Sequence, residues 1–427
     1  MILYARPIKE KSTELPLDTS AKLYVYTKTK SWNQTYRVSA VMKNEVLPQF
    51  LAEAIKLCKK RFPSFYVCLD NGFRWKKFET VENFRIDDVL VKDTEICRPV
   101  EMSDNVPLFR VLYSDHRISL EIFHGVTDGH GALVFLKTLL AVYLNLTGIH
   151  VLPTNGVLDI NERPHAAELE DSFLKNYNRK AGFLNRNEKA AFQYTQNNTD
   201  NKIHIAQCRM SASKLKCITH RINVTVTQYL TAAYIYALCL NGDKSTDTKA
   251  FKVQVPIDIR PYFNSNTLRN FSLYTNVGID AKSKYTFNDI LLKVLQQIRC
   301  GEDETRIRKM LNSNVRDAEM PVSKIMPGFI KKPFIEAGFL LFGERLYTST
   351  MSNLGVVDAP EEMKKEIEYF DFVIGLSHKN NIYSTVATFN DTLCVTISSK
   401  FPDNKAAETL FGFLRDQGLD IVTEYYR

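Results

Sequence analysis

The chain has 427 residues, more than the roughly 250–300 over which a single hydrophobic core keeps growing, so two subdomains are expected. Apolar residues make up 44% and charged residues 24%, which excludes intrinsic disorder and collagen-like or low-complexity classes. The formal charge of +8 favours anionic partners, although a lysine-rich solvated surface gives the same sum; with no zinc-finger spacing and no aromatic RNP-like strand, a nucleic-acid module is not expected.

In chain order, residues 21–29 and 35–41 alternate apolar and polar side chains and are expected as strands. After Asn44, the apolar positions Val46, Leu47, Phe50, Leu51, Ala54, Ile55 and Cys58 fall at helical spacing, with Pro48 in the first turn. Residues 65–69 and 73–78 flank Asp70-Asn71-Gly72, a hairpin signal because Asn and Gly tolerate positive φ. A second hairpin is expected from 108–113 and 117–123. Residues 150–201 are polar, are broken by Pro153, Asn155-Gly156 and Pro164, and read as a connector whose 196–202 stretch is a loop. Then come helices over 211–220 and 225–240, strands over 250–257 and 272–279, and an amphipathic helix over 288–299. The chain closes with a hairpin, 382–389 and 393–398 around Asn390-Asp391, and a helix over 405–417. The expected class is mixed α/β (α+β): an N-terminal subdomain over 1–165, a connector over 166–205 and a C-terminal subdomain over 206–427.

Eight cysteines occur with no Cys-x-x-Cys pair and mostly apolar neighbours, which predicts free thiols used as small core residues. The first 14 residues lack the apolar run of a signal peptide. The longest apolar stretch, 132–146, is interrupted by Lys137 and Asn145 and reads as too short to span a bilayer. The expectation is a reduced, cytoplasmic protein with no membrane span.

The chemically informative stretch is Ile122-Phe123-His124-Gly125-Val126-Thr127-Asp128-Gly129, followed by Gly131. An expected strand delivers His124 to its end, and an apolar helix starts near Gly131. An imidazole titrates near 6.5 and can accept a proton at neutral pH, a task worth about 10²–10⁴-fold in rate. The glycines let backbone approach a ligand closely. A lone His at a strand end is more often a structural residue, but a His-x-x-x-Asp-Gly match arises by chance in roughly a few per cent of chains this long. The other histidines (His116, His130, His150, His165, His204, His220 and His378) show no i, i+4 pairing, so no metal site is expected. No Gly-rich phosphate loop, Gly-x-Ser-x-Gly elbow or dinucleotide fingerprint occurs.

His124-x-x-x-Asp128-Gly129 resembles the active-site motif of the CoA-dependent acyltransferase superfamily, which includes chloramphenicol acetyltransferases, condensation domains, wax ester synthases and alcohol acetyltransferases. The alcohol acetyltransferase branch is the most similar. The resemblance implies two chloramphenicol-acetyltransferase-like subdomains, each a mixed β-sheet flanked by helices, with an active-site tunnel at their interface. It implies His124 as general base, Asp128 turned away in a structural ion pair, and Gly129 leaving room for the pantetheine arm. Val255-Pro256-Ile257-Asp258-Ile259-Arg260-Pro261 is similar to the family's strand ending in Arg, which makes Arg260 the partner of Asp128. Met351-Ser352-Asn353-Leu354-Gly355 is similar to a turn beside the tunnel, with Ser352 or Asn353 able to bond the tetrahedral oxyanion. Three departures stand out. Thr227-Gln228 replaces an Asn-Asp pair, Phe123 stands where two branches carry a second His, and Asp371-Phe372-Val373-Ile374-Gly375 is a faint echo of a plant-type motif.

The function so implied is transfer of an acyl group, most simply acetyl, from acetyl-CoA or another acyl-CoA to an alcohol. An amine is a further acceptor class. The thioester is a co-substrate and no cofactor is bound permanently. Two alternatives stand beside this reading: a condensation-type enzyme using an acyl carrier protein thioester, and a non-catalytic binding protein with the same fold. Since one chain holds both halves of the site, a monomer suffices.

Overall fold

A computed structural model describes residues 14–28, 34–70, 76–185, 187–194, 202–242, 249–281, 284–319, 343–377 and 380–427. The expected loop at 196–201, the hairpin tip at 71–75 and His378 lie outside the described residues.

Two sheets organise the chain. The five-stranded sheet has the spatial order Ile367–Ile374, Thr35–Met42, Arg117–Phe123, Phe109–Tyr113, Leu90–Lys92. Its strand Thr35–Met42 is buried along its whole length, with neighbours on both sides. The helices Pro48–Cys58 and Gly129–Leu146 pack against each other, and the second lies on the sheet. Phe135 of that helix stacks on Phe65 at 4.8 Å and meets Phe62 edge-on at 5.0 Å, anchoring the first core. Gly129–Leu146 is the one helix among the described residues long and apolar enough to cross a membrane, and 72% of it is buried in the protein interior.

The seven-stranded sheet has the order Ser272–Ile279, Phe251–Asp258, Ser349–Val356, Ile382–Phe389, Thr392–Ser399, His204–Ser211, Ile421–Tyr426. Helices Val226–Asn241, Phe287–Gly301 and Lys405–Asp416 cover it and share the second core. Three hairpins were expected from turn chemistry: Phe109–Tyr113 with Arg117–Phe123 and Ile382–Phe389 with Thr392–Ser399 form, and Val67–Asp70 pairs antiparallel with Lys77–Thr80 in a small three-stranded sheet. All eight cysteines are unpaired, and six are buried. The mixed α/β class with two sheet-and-helix bodies is thus the observed one.

Among the segments that differ from the sequence reading, three bear on the site or its surroundings. Residues 21–29 were expected as a strand, but Thr19–Thr27 is a helix. The buried carboxylate of Asp18 accepts from Ala21 N at 2.7 Å, so an N-cap outweighs the apolar alternation of Leu23 and Val25. Glu304–Ala318 is a helix with no counterpart in the sequence reading, although Ile307, Met310, Leu311 and Val315 bury one helical face behind the cap Asp303. Residues 351–355, expected as a turn, belong to the strand Ser349–Val356. That strand runs parallel to both neighbours and slips register between Asn353 and Val356, where Gly355 has φ +74°.

The two bodies exchange chain. Ile367–Ile374, far along the sequence, leaves the second sheet and pairs antiparallel with Thr35–Met42 in the first. Ser398 Oγ of the second sheet donates to Ile374 O at 3.0 Å, and Thr385 Oγ1 bonds Phe372 O. The space between the bodies is therefore bounded by strands of both.

Candidate active site

The strand Arg117–Phe123 ends immediately before His124, whose backbone N–H donates to Gln34 O at 3.0 Å. Val126 N donates back to Phe123 O at 2.9 Å, which tightens the loop. The helix Gly129–Leu146 starts at once, with Asp128 as N-cap accepting from Gly131 N at 3.3 Å. One residue thus ends the loop, caps a helix and carries a charge. The imidazole of His124 is stacked on Tyr24 (centroids 4.4 Å apart, planes at 24°) and meets Tyr36 edge-on at 5.0 Å. Tyr36 OH does not bond the ring; it donates to Thr127 O at 3.0 Å.

Arg260 and Asp128 form a buried ion pair. Arg260 Nη2 reaches Asp128 Oδ1 at 3.0 Å and Oδ2 at 2.9 Å. The same guanidinium donates to Thr267 O at 2.9 Å, Arg269 O at 2.7 Å and Asp258 Oδ1 at 2.9 Å. Asp128 Oδ2 also accepts from Phe271 N at 2.8 Å. Burial alone would raise the Asp128 carboxyl, but Arg260 and these amides hold it below its ordinary value of 3.8. Burial acts on His124 in the opposite sense and lowers it below 6.5, a pull that surrounding carbonyls, Asp128 and Asn270 only partly oppose. Burial thus favours the neutral ring.

All six sequence-derived positions line one cavity of about 1240 Å³: His124, Asp128, Gly129, Arg260, Ser352 and Asn353. At Gly129 a Cβ would lie 2.8 Å from Leu354 Cδ2, so a side chain there would press on the cavity wall. Asn353 is committed to structure: Nδ2 donates to Thr227 Oγ1 at 2.9 Å, and Oδ1 accepts from Gly355 N at 2.8 Å. The Ser352 side chain has no hydrogen-bond partner among the described residues and lines the cavity. Thr227-Gln228, the departure from the resembled motif, acquires local reasons. Gln228 closes a capping box with Thr225, and Thr227 holds Asn353.

Sequence reasoning missed two features. The helix Thr19–Thr27 brings Tyr24 onto the His124 ring, and it was read as a strand. Asn270 Oδ1 lies 3.1 Å from His124 Nδ1. Nothing in its sequence neighbourhood singled it out, because its partner is 146 residues away. Among the described residues no group of three His, Cys, Asp or Glu side chains is placed to hold a metal ion.

No protein-family model matches the chain, and no curated protein matches it in sequence. Solved structures do match in shape. TRI101 of F. graminearum, complexed with coenzyme A and deoxynivalenol, has a TM-score of 0.61 at 11% identity, over 97% of this chain and 99% of that one. The wax ester synthase/diacylglycerol acyltransferase of Marinobacter aquaeolei VT8 has a TM-score of 0.54 at 13% identity, over 95% and 100%. The starter condensation domain of rhizomide synthetase RzmA, in complex with C8-CoA and Leu-SNAC, has a TM-score of 0.57 at 12% identity, over 94% and 93%. Over nearly its whole length, the chain has the fold shared by CoA-dependent acyltransferases and condensation domains.

Proposed function

We propose that the chain transfers an acyl group from a CoA thioester to the hydroxyl of a small-molecule acceptor, with His124 as general base. The observation that carries this reading is a buried imidazole in a cavity built by both bodies, on a loop pinned by the Asp128–Arg260 pair, where burial favours the neutral ring. His124 takes the hydroxyl proton as the acceptor oxygen attacks the thioester carbonyl carbon. Collapse of the tetrahedral intermediate breaks the C–S bond, and the imidazolium returns its proton to the leaving sulfur. The products are an ester and free CoA, and the enzyme is unchanged.

Asp128 and Arg260 hold the loop rather than react, since both carboxylate oxygens are engaged by Arg260 and backbone amides. Ser352, whose hydroxyl lines the cavity and has no partner among the described residues, is the group of the 352–353 pair able to bond the oxyanion. The cavity exceeds the roughly 300–1,000 Å³ of a drug-sized pocket, which suits a pantetheine arm and an acceptor together. The structural relatives support the donor class: one is complexed with coenzyme A and deoxynivalenol, and another with C8-CoA. Acetyl-CoA is the simplest donor.

The test incubates purified protein with acetyl-CoA, longer acyl-CoAs or an acyl carrier protein thioester, and pools of alcohols and amines, following free thiol. Acceptor-dependent release that falls about a hundredfold or more in His124→Ala is expected. Equal release by both proteins removes His124 from the chemistry. Transfer from the carrier thioester alone makes the enzyme condensation-type, and CoA binding without transfer from any donor makes it a binding protein.

A further inference from the structure

The two strands at one end of the seven-stranded sheet have one face in the second core and the other on the active-site cavity. Phe251–Asp258 and Ser272–Ile279 alternate strictly. Val253, Val255 and Val277 are buried in the core, while Gln254, Pro256 and Asp258, with Ser272, Tyr274 and Asn276, line the cavity. The register sets these side chains in rows. Ser272 faces Asp258, Tyr274 faces Pro256 and Asn276 faces Gln254. On its other side Gln254 pairs with Thr350 of the strand Ser349–Val356.

The first row marks the catalytic end. Asp258 bonds Arg260, and Asn270, two residues before Ser272, lies 3.1 Å from His124 Nδ1. The row Asn276–Gln254–Thr350 lies four residues further along the strands, about 13 Å at about 3.3 Å per residue. Between the two rows stand the Tyr274 ring and Pro256. This wall is therefore apolar in its middle and polar at the end remote from the base.

At that end Asn276 is spoken for, since Nδ2 donates to Glu188 Oε2 at 2.8 Å and Oδ1 is buried. The Gln254 amide and the Thr350 hydroxyl are not. Both line the cavity and have no partner among the described residues. They sit on neighbouring strands about 4.8 Å apart, close enough to bond one group between them. A hydroxyl both donates and accepts, as do an amide and a second hydroxyl, so it matches the pair. A charged group does not. The one charged cavity residue on these three strands is Asp258, already paired with Arg260. Lys252, two residues beyond Gln254, donates to Lys189 O at 2.8 Å and lies 3.8 Å from Glu188. A CoA thioester carries its anionic phosphates at the end away from the thioester, and these strands offer them no free cation. The tail of a long acyl chain would leave the amide and hydroxyl without partners. The remaining occupant is the acceptor.

We propose that Gln254 and Thr350 form a recognition subsite for a second hydroxyl of the acceptor. The acceptor is then an uncharged, elongated molecule with an apolar body and hydroxyls on the order of 13 Å apart. The proposal rests on the acyl-transfer reading for the reaction and on the sheet register for the spacing. Gln254 and Thr350 stand away from the reacting atoms, so they govern acceptor affinity and selectivity.

The test compares three probes of one length: decanediol with a hydroxyl at each end, decanol, and ω-hydroxydecanoate. Binding is read by ligand-observed NMR titration, and transfer by free-thiol release with acetyl-CoA and longer acyl-CoAs. Decanediol is expected to have a KM about tenfold or more below that of decanol, and ω-hydroxydecanoate to do no better than decanol. Gln254→Leu, and separately Thr350→Val, should raise the decanediol KM about threefold to tenfold, with the acyl-CoA KM within about twofold. The preference for decanediol over decanol should shrink in both. Should Gln254→Leu fail to fold by thermal melting, Thr350→Val, which keeps the side-chain shape, and the native comparison decide. Equal binding of decanediol and decanol by the native protein overturns the subsite, and so does a preference for ω-hydroxydecanoate. A rise in the acyl-CoA KM in place of the acceptor KM gives the row to the donor and overturns it as well. Selective decanediol binding, lost in the variants, without transfer from any donor would sink the acyl-transfer reading and keep the subsite. Transfer to decanediol and decanol alike would do the reverse.

Discussion

At His124 two forces act on one proton. Burial disfavours the imidazolium, while the carbonyls and Asn270 around the ring favour it, and burial wins. A general base works only when neutral, so the acid limb of kcat/KM should have its midpoint below 6.5. A pH–rate profile whose acid limb lies at or above 6.5 would contradict this. Stability carries the same sign. Because the folded pKa is lowered, the neutral ring stabilises the fold fully above 6.5, and that contribution is lost as pH falls through the lower folded value. At Arg260 the decisive property is shape. Its guanidinium spans Asp128, Asp258 and two carbonyls at once, a set that a lysine ammonium cannot reach together. Arg260→Lys should keep the charge, lower kcat by roughly tenfold or more, and lower the melting temperature by several degrees. Unchanged kinetics and melting would remove Arg260 from the support of the loop.

Among the elements, the helix Gly129–Leu146 shows local preference yielding to tertiary contact. Ala exceeds Gly in helix propensity by about 1 kcal/mol, so Gly131→Ala should stabilise an isolated helix. In the folded protein a Cβ there would run into Leu268 O and Thr127 Oγ1. The variant is therefore expected to melt lower and to lose activity, because the same two groups tie the His124 loop to the segment bearing Asn270. A higher melting temperature would refute this. The helix Thr19–Thr27 makes a complementary case. Asp18→Ala removes its N-cap and the partner of Arg269, which should cost about 1 kcal/mol or more in urea denaturation. It should also slow turnover through Tyr24, whose ring covers one face of His124.

For the whole molecule, the connector is structural as well as connecting. Glu168 lies in the short helix Ala166–Leu169 and receives a bidentate pair from the buried Arg61, at 2.6 and 2.7 Å. Its carbonyl accepts from Leu268 N at 2.9 Å, and Thr19 donates to Asp171 a few residues on, so this stretch joins the first core to the segment beside the active site. Glu168→Ala would leave Arg61 charged and buried, at an expected cost of about 3–5 kcal/mol. A loss under 1 kcal/mol in equilibrium urea unfolding would mean that water reaches Arg61. The exchanged strand Ile367–Ile374 couples the two bodies further. Arg117 of the first sheet pairs with Asp371 on it, and the Tyr426 ring of the second sheet lies 6.0 Å from that guanidinium.

The sequence by itself determined what is local. The hairpin around Asn390-Asp391, the helices after residues 211, 225 and 287, and the strand–loop–helix unit bearing His124 and Asp128 were legible because period, turn residues and caps act within a few positions. Arg260, Ser352 and Asn353 were named by resemblance, and the structure brings them to the same cavity as His124. Tertiary structure decided the rest. The helix over 19–27 hides behind an alternation that its buried environment overrides. Asn270 acquires meaning only against a ring 146 residues distant, and Ile367–Ile374 joins a sheet whose other strands all lie before residue 124. Such contacts join segments that fold onto each other from far apart, and no local periodicity marks either end.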